Sequence, residues 1–159
     1  MELRGMVVTL RAATDDDCQV VFDWANDPLA RSMSFNSILI DWEEHQRWFA
    51  ESLLSETRQL FIGMEGAERV GMVRLDQTKE DFVVSLNVAP SVRGRGLGPQ
   101  LLVAIETASK GMGANKLVAY IRPDNSPSVR CFEAVGYTLA GQEMQGDVEA
   151  LRYVRAVSS

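Results

Sequence analysis

The chain has 159 residues, 46% of them hydrophobic and 24% charged, with a formal net charge of −6 at pH 7. That length suits one domain, residues 1–159, around one core, and the acidic balance argues against nonspecific nucleic-acid binding, which needs a basic face. No apolar run reaches a membrane span, the first residues lack the regions of a signal peptide, and Cys18 and Cys131 form no metal-ligand spacing, so they read as free thiols in a reducing cytoplasm.

Val7 to Leu10 reads as a first strand. Thr14 followed by Asp15, Asp16 and Asp17 has the form of an N-cap with an acidic first turn, so a helix follows, its buried face carrying Cys18, Val21, Phe22 and Ala25. Asn26-Asp27-Pro28 stops that helix, and Leu29 to Ile40 reads as a loop or irregular helix. Asp41 and Glu44 have the spacing of a capping box for a second helix with an apolar stripe from Trp42 to Leu54. Strands are expected at Leu60–Met64, Val70–Leu75 and Phe82–Val88. A long helix starts near Gly98, because Pro99 is tolerated only in a first turn, and ends at Gly111/Gly113. Leu117–Ile121 is a strand, Ser126–Ala134 a short helix, and Tyr137–Met144 with Val148–Val154 a closing hairpin. The order β-α-α-β-β-β-α-β-α-β-β is a mixed α/β arrangement in three layers.

Arg93-Gly94-Arg95-Gly96-Leu97-Gly98 lies between a strand and the best helix of the chain. Glycines at every second position let the backbone curl and turn its N–H groups inward, and the helix start adds unpaired donors and a positive dipole end. Such a loop cradles a phosphate or pyrophosphate. The third glycine comes one residue too early for a Rossmann fingerprint, and a Walker lysine is missing. No carboxylate occurs between Asp81 and Glu106, so the loop is a basic exception on an acidic protein.

Arg93-x-x-Gly96-x-Gly98 after Val88-Ala89-Pro90 resembles the acyl-CoA signature of the GNAT (GCN5-related N-acetyltransferase) superfamily. Asn125-Ser126-Pro127-Ser128, Phe132 and Gly136-Tyr137 resemble that family's second segment, and the element order resembles the family along essentially the whole chain. The resemblance implies the acyl-CoA N-acyltransferase fold: a mixed, mostly antiparallel sheet of about seven strands flanked by helices. It implies acetyl-CoA as cosubstrate and no metal. It implies that the strand ending at Val88 splays from the strand at Leu117–Ile121, and that the Val88 N–H faces the thioester oxygen. The N–H groups of Gly94, Arg95, Gly96, Leu97 and Gly98, with Arg93, hold the pyrophosphate, Asn125 and Ser128 line the pantetheine slot, and Pro99 removes one donor.

The implied reaction is direct attack of a neutral amine on the thioester, with an oxyanion at the strand amide. Two family helpers are absent: Phe132 stands where many members carry a tyrosine acid, and Val83 where many carry a glutamate base. Tyr120 and Tyr137 are substitutes for the first. His45, Asp76 or a water relay are substitutes for the second, His45 being the only histidine. Cys131 reads as packing.

Asp23-Trp24-Ala25-Asn26-Asp27-Pro28 with Arg31, Ile40 and His45-x-x-Trp48 is similar to the N-acetyltransferases of nucleotide-linked amino sugars in the pseudaminic acid pathway, and more distantly to ribosomal-protein Nα-acetyltransferases. This implies an acceptor site drawn from Trp24, Asn26, Arg31, His45, Trp48, Arg74 and Asn87, with Arg31 or Arg74 on the diphosphate of a sugar nucleotide. The alternatives are a protein or peptide Nα-acetyltransferase and a non-catalytic acyl-CoA-binding sensor. The expected partners are acetyl-CoA and a small amine, without nucleic acid or membrane, on a monomer or homodimer.

Overall fold

In the computed structural model, which describes residues 7–157, the strands are β1 (Val8–Ala12), β2 (Arg58–Glu65), β3 (Glu68–Gln77), β4 (Phe82–Val88), β5 (Lys116–Ile121), β6 (Thr138–Gln145) and β7 (Val148–Ala156). They form one sheet in the order β1-β2-β3-β4-β5-β7-β6. Every pairing is antiparallel except β4 with β5. The helices are α1 (Cys18–Ala25), α2 (Pro28–Ser32), α3 (Trp42–Leu54), α4 (Leu97–Gly111) and α5 (Ser126–Ala134). This is the mixed, mostly antiparallel α/β sheet of an acyl-CoA N-acyltransferase fold.

Leu97, Leu101, Leu102 and Ile105 are buried against the sheet, each burial contributing about 1.5–3 kcal/mol. Leu101 packs on Gly71 of β3, its Cδ1 lying 3.2 Å from where a Cβ would stand. This close packing fixes α4, and with it the loop from which the helix starts. On the opposite side of the chain's order, α3 rests on β2 and α1. Asp41 caps α3 by accepting from Glu44 N at 3.1 Å.

The N-terminal cap takes a different form from the expected one. Asp15–Asp17 make a 3-10 turn, and α1 begins only at Cys18. Asp17 Oδ2 reaches back to the Thr14 N–H at 2.9 Å. The same carboxylate is fully buried and takes Arg11 at 2.8 and 2.9 Å and Arg69 at 3.0 Å. The Arg11 hydrogen bonds, with further donors, hold it well below the usual carboxylate range. Burying a charge is tolerated here because every lone-pair direction is taken.

A short helix, α2, also forms where a loop or irregular helix is expected. Asn26-Asp27-Pro28 ends α1 and starts α2 at once: Asp27 accepts from Ala30 N at 3.1 Å, and Pro28 sits at the first helical position. Strands β2 and β3 run beyond their apolar cores because ladder pairing continues through Arg58, Gln59 and Asp76. Among the described residues no helix is long and apolar enough to cross a membrane, and no group of three or more His, Cys, Asp or Glu side chains could hold a metal.

Candidate active site

β4 and β5 pair only at Phe82↔Leu117 and Val83↔Val118. Beyond Val83 they part, while β4 stays paired to β3 up to Gly71↔Val88. Ala89 N–H donates to Val70 O on the β3 side at 2.8 Å. Alternation along the strand then turns the Val88 N–H toward the gap. A cleft of about 830 Å³ opens there, walled by Ser85, Asn87 and Val88 of β4, Tyr120 of β5, the 93–98 loop, α5 and the α2 segment.

The loop glycines serve two different needs. Gly94 and Gly96 have φ of 83° and 75°, a left-handed backbone that a side chain would strain. Their N–H groups take no backbone acceptor among the described residues, and both line the cleft. Gly98 sits in the helix start and is small for lack of space: a Cβ there would lie 2.7 Å from Cys131 Sγ. Leu97 and Gly98 also line the cleft, presenting the orphan donors of a helix N-terminus. Arg93 lines the cleft, and its Nη1 donates to Asp27 Oδ2 at 2.7 Å. That bond is the main reason the Asp27 carboxyl is held below its ordinary value. Arg95 does not line the cleft; it turns away to the buried Glu65, at 2.6 Å. Its side chain therefore cannot share the role of Arg93, although its backbone remains in the loop.

On the facing wall, Asn125 caps α5, its Oδ1 accepting from Ser128 N at 3.3 Å, and both residues line the cleft. Cys131 lies on the same wall, and burial pushes its thiol up to about 11. It is therefore a neutral thiol near pH 7, consistent with packing and not with a nucleophile. Phe132 is buried and meets Tyr137 edge-on at 4.9 Å. The Tyr137 hydroxyl is buried without a hydrogen-bond partner and is pushed up, chiefly by burial. It is not among the cleft-lining residues, whereas Tyr120 is; burial raises the Tyr120 phenol first of all.

The acceptor-side expectations divide. Arg31, Arg74 and Asn87 line the cleft. His45, Trp24, Asn26 and Trp48 do not. His45 is 3% exposed, and its Nε2–H donates to Cys18 O at 2.9 Å, tying α3 to α1. Burial lowers its pKa, and its ring is engaged between α1 and α3, outside the cleft lining. Trp24 is core. Asn26 clasps Ile40, donating to its O at 3.0 Å and accepting from its N at 2.8 Å, which closes the 26–40 segment. Trp48 carries the guanidinium groups of Arg58 and Arg74 over its ring at 5.6 and 5.8 Å. Asp76 is bound to both of those arginines, at 2.6 and 2.9 Å, and does not line the cleft. Val83 falls on the last paired rung, so Val84 and Ser85 are the first cleft residues of β4.

Three residues of the site escape sequence reasoning. Asp27 joins the loop to α2; neither the Asp-Pro stop nor the 23–28 segment that carries the resemblance signalled its bond to Arg93. Ser85 accepts from Arg74 Nη2 at 3.3 Å. Arg122 reaches Ser34 O at 3.3 Å and pairs with Asp124. Neither Ser85 nor Arg122 has a local sequence signal.

The model of the acetyltransferase (GNAT) domain matches residues 8–138. The uncharacterized N-acetyltransferase YfmK of Bacillus subtilis (strain 168) is 26% identical over 133 residues, covering 84% of this chain and 86% of that protein. A mycothiol acetyltransferase of Corynebacterium glutamicum (strain R) is 30% identical over 135 residues; these are 73% of this chain and 45% of that longer protein. The structure of AAC(6')-Ib in complex with ribostamycin and coenzyme A shares the fold with a TM-score of 0.84 at 22% identity, over 94% of this chain and 93% of that one. With the family model spanning most of the sheet and both cleft-lining motifs, the chain belongs to the GNAT acetyltransferase family.

Proposed function

We propose that the chain transfers the acetyl group of acetyl-CoA to the primary amine of a small molecule by direct attack in a ternary complex, and that the acceptor is the amino sugar of a nucleotide-linked sugar. The observation that carries this reading is the parting of β4 and β5 after Val83, with the cleft opening onto Gly94, Gly96 and the start of α4. The residues fit the cofactor: the loop offers unpaired N–H groups to a pyrophosphate, and Arg93 adds a charge. Asn125 and Ser128 border the slot for the pantetheine arm.

Val88 N–H is the donor for the oxyanion, the group whose charge grows in the transition state. Asn87 and Arg74 flank the place where the amine would stand. Among the described residues the cleft lining holds no histidine, and its one carboxylate, Asp124, is paired with Arg122; a water relay takes the amine's proton. A thiol with an ordinary pKa of about 8.5 leaves without a strong acid, which makes the phenylalanine at position 132 tolerable. The protein works in the cytoplasm as a monomer or homodimer, without nucleic acid or membrane; Cys18 and Cys131 as free thiols fit that compartment.

Thiol release from acetyl-CoA, measured against sugar nucleotides bearing an amine, peptides and polyamines, tests the reading. Turnover with the amino-sugar nucleotides is expected. Turnover with N-terminal peptides alone would replace the acceptor by a protein Nα-amine, and acetyl-CoA binding without any turnover would make the chain a sensor module.

A further inference from the structure

The acceptor side of the cleft holds more positive charge than its carboxylates neutralise, on a protein whose net charge is −6. Arg31, Arg74, Arg93 and Arg122 line the cleft, while among the described residues Asp124 is the one carboxylate residue in its lining. Asp124 is spent on Arg122, and Arg93 is held by Asp27. Arg74 shares the single carboxylate of Asp76 with Arg58, so that trio keeps one positive charge. Arg31 has no carboxylate partner among the described residues. It donates to Ala25 O at 2.8 Å, Ile38 O at 3.2 Å and Ser34 Oγ at 2.9 Å, and burial disfavours its charge. Neutral acceptors fix the plane of that guanidinium without cancelling it. Arg74 is fixed as firmly, by Asp76, by Ser85 Oγ and by the face of Trp48. Each guanidinium has five N–H donors and spends only two or three of them here.

We propose that Arg31 and Arg74 form a site for an anionic group, a phosphate or a carboxylate, carried by the acceptor beside its amine. The inference rests on the acetyl-transfer reading for the amine, and extends it to a charge rule: the acceptor is an anionic amine, and polycationic amines are rejected. Two fixed cations across one cleft repel spermidine or an aminoglycoside and attract a phosphosugar or an amino acid. The guanidinium plane suits bidentate binding of either anion.

The test uses the whole chain saturated with coenzyme A, which occupies the loop. Inorganic phosphate or acetate is titrated while the Nε–H resonances of Arg31 and Arg74 are followed by NMR. Both resonances are expected to move with saturation, and each single variant, Arg31→Gln or Arg74→Gln, to raise about tenfold or more the anion concentration needed to move the arginine that remains. Absence of any shift up to high anion concentration overturns the proposal, whether or not any amine is acetylated. In the thiol-release assay, glucosamine 6-phosphate against glucosamine tests phosphate, and methionine sulfone against its methyl ester tests carboxylate. The anionic member of at least one pair should have a kcat/KM about tenfold or more higher, an ordinary worth for one charge-assisted contact. Preference for spermidine or kanamycin over every anionic amine overturns it as well. A chain that fails to bind coenzyme A contradicts the acetyl-transfer reading instead, and that failure is visible in the same titration before phosphate is added.

Discussion

Replacing Gly98 by alanine should have opposite effects in two backgrounds. Gly98 lies in the first turn of α4, where alanine gains up to about 1 kcal/mol over glycine. The added methyl would stand 2.7 Å from Cys131 Sγ, with Leu86 Cδ2 and Val88 Cγ2 at 3.6 and 3.8 Å. The last two are ordinary contacts, and the first is a clash. Cys131 is partly buried on α5, and its one rotatable bond has few allowed positions in a helix. Overpacking of this kind costs about 1–3 kcal/mol. Gly98→Ala alone should therefore destabilise by about 1 kcal/mol net, lowering the melting temperature by about 2–4 °C for a domain of this size. In a Cys131→Ala background the sulfur is gone, and the same change should stabilise by about 0.5–1 kcal/mol. Urea unfolding of the four proteins gives the coupling energy, expected at about 1–3 kcal/mol. If Gly98→Ala stabilises equally in both backgrounds, the loop and α5 are not in the close contact described, and the account of why Gly98 is small is wrong.

Other expectations concern charge and protonation. Asp27→Asn and Arg93→Gln should each cost about 1–2 kcal/mol with a coupling of about 1 kcal/mol in a double-mutant cycle, since a part-buried charge-assisted bond lies between surface and buried pairs; additive effects would show that loop and α2 are independent. Asp17→Asn should destabilise by about 2–4 kcal/mol, less than a fully buried pair because Arg11 and Arg69 can rehydrate. The Asp17 carboxyl is lowered in the fold, so its stabilisation is present above the unfolded value and is lost as pH falls below about 4; acid unfolding of Asp17→Asn should lack that component. His45→Gln should leave kcat and its pH profile unchanged while lowering thermal stability. The folded His45 pKa is depressed by burial, so wild-type stability should decline as pH falls below about 6.5, and the variant should lose that slope.

The geometry of the glycine loop and of the α5 start, where the cofactor is proposed to bind, was legible in the sequence because its physics is local. A left-handed turn needs glycine at 94 and 96, and a helix start tolerates Pro99; the capping of α5 by Asn125 appears only in the structure. The mixed α/β element order followed from periodicity and caps, the mostly antiparallel seven-strand sheet from the family resemblance, and β4 and α5 matched their expected bounds. The acceptor half depends on tertiary pairing. Nothing near His45 in the chain tells that its ring faces the Cys18 carbonyl, nor that Trp48 is a platform for Arg58 and Arg74 from β2 and β3. Nothing near Arg95 in the chain tells that its side chain goes to Glu65, thirty residues away. The bond of Asp27 to Arg93, across 66 residues, has no local trace in the Asn26-Asp27-Pro28 stop.

On the proposed function, the Gly94–Gly98 loop receives the pyrophosphate of coenzyme A. Calorimetric titration of acetyl-CoA into the wild type, Arg93→Ala and Gly96→Val tests it most directly. Gly96 has open space around a Cβ and a left-handed φ of 75°, so valine there would tilt the N–H groups without filling the core. Each variant should bind at least about tenfold more weakly, the worth of one lost charge-assisted contact or a misdirected cradle. Equal affinity in all three proteins would place the cofactor elsewhere and contradict the account.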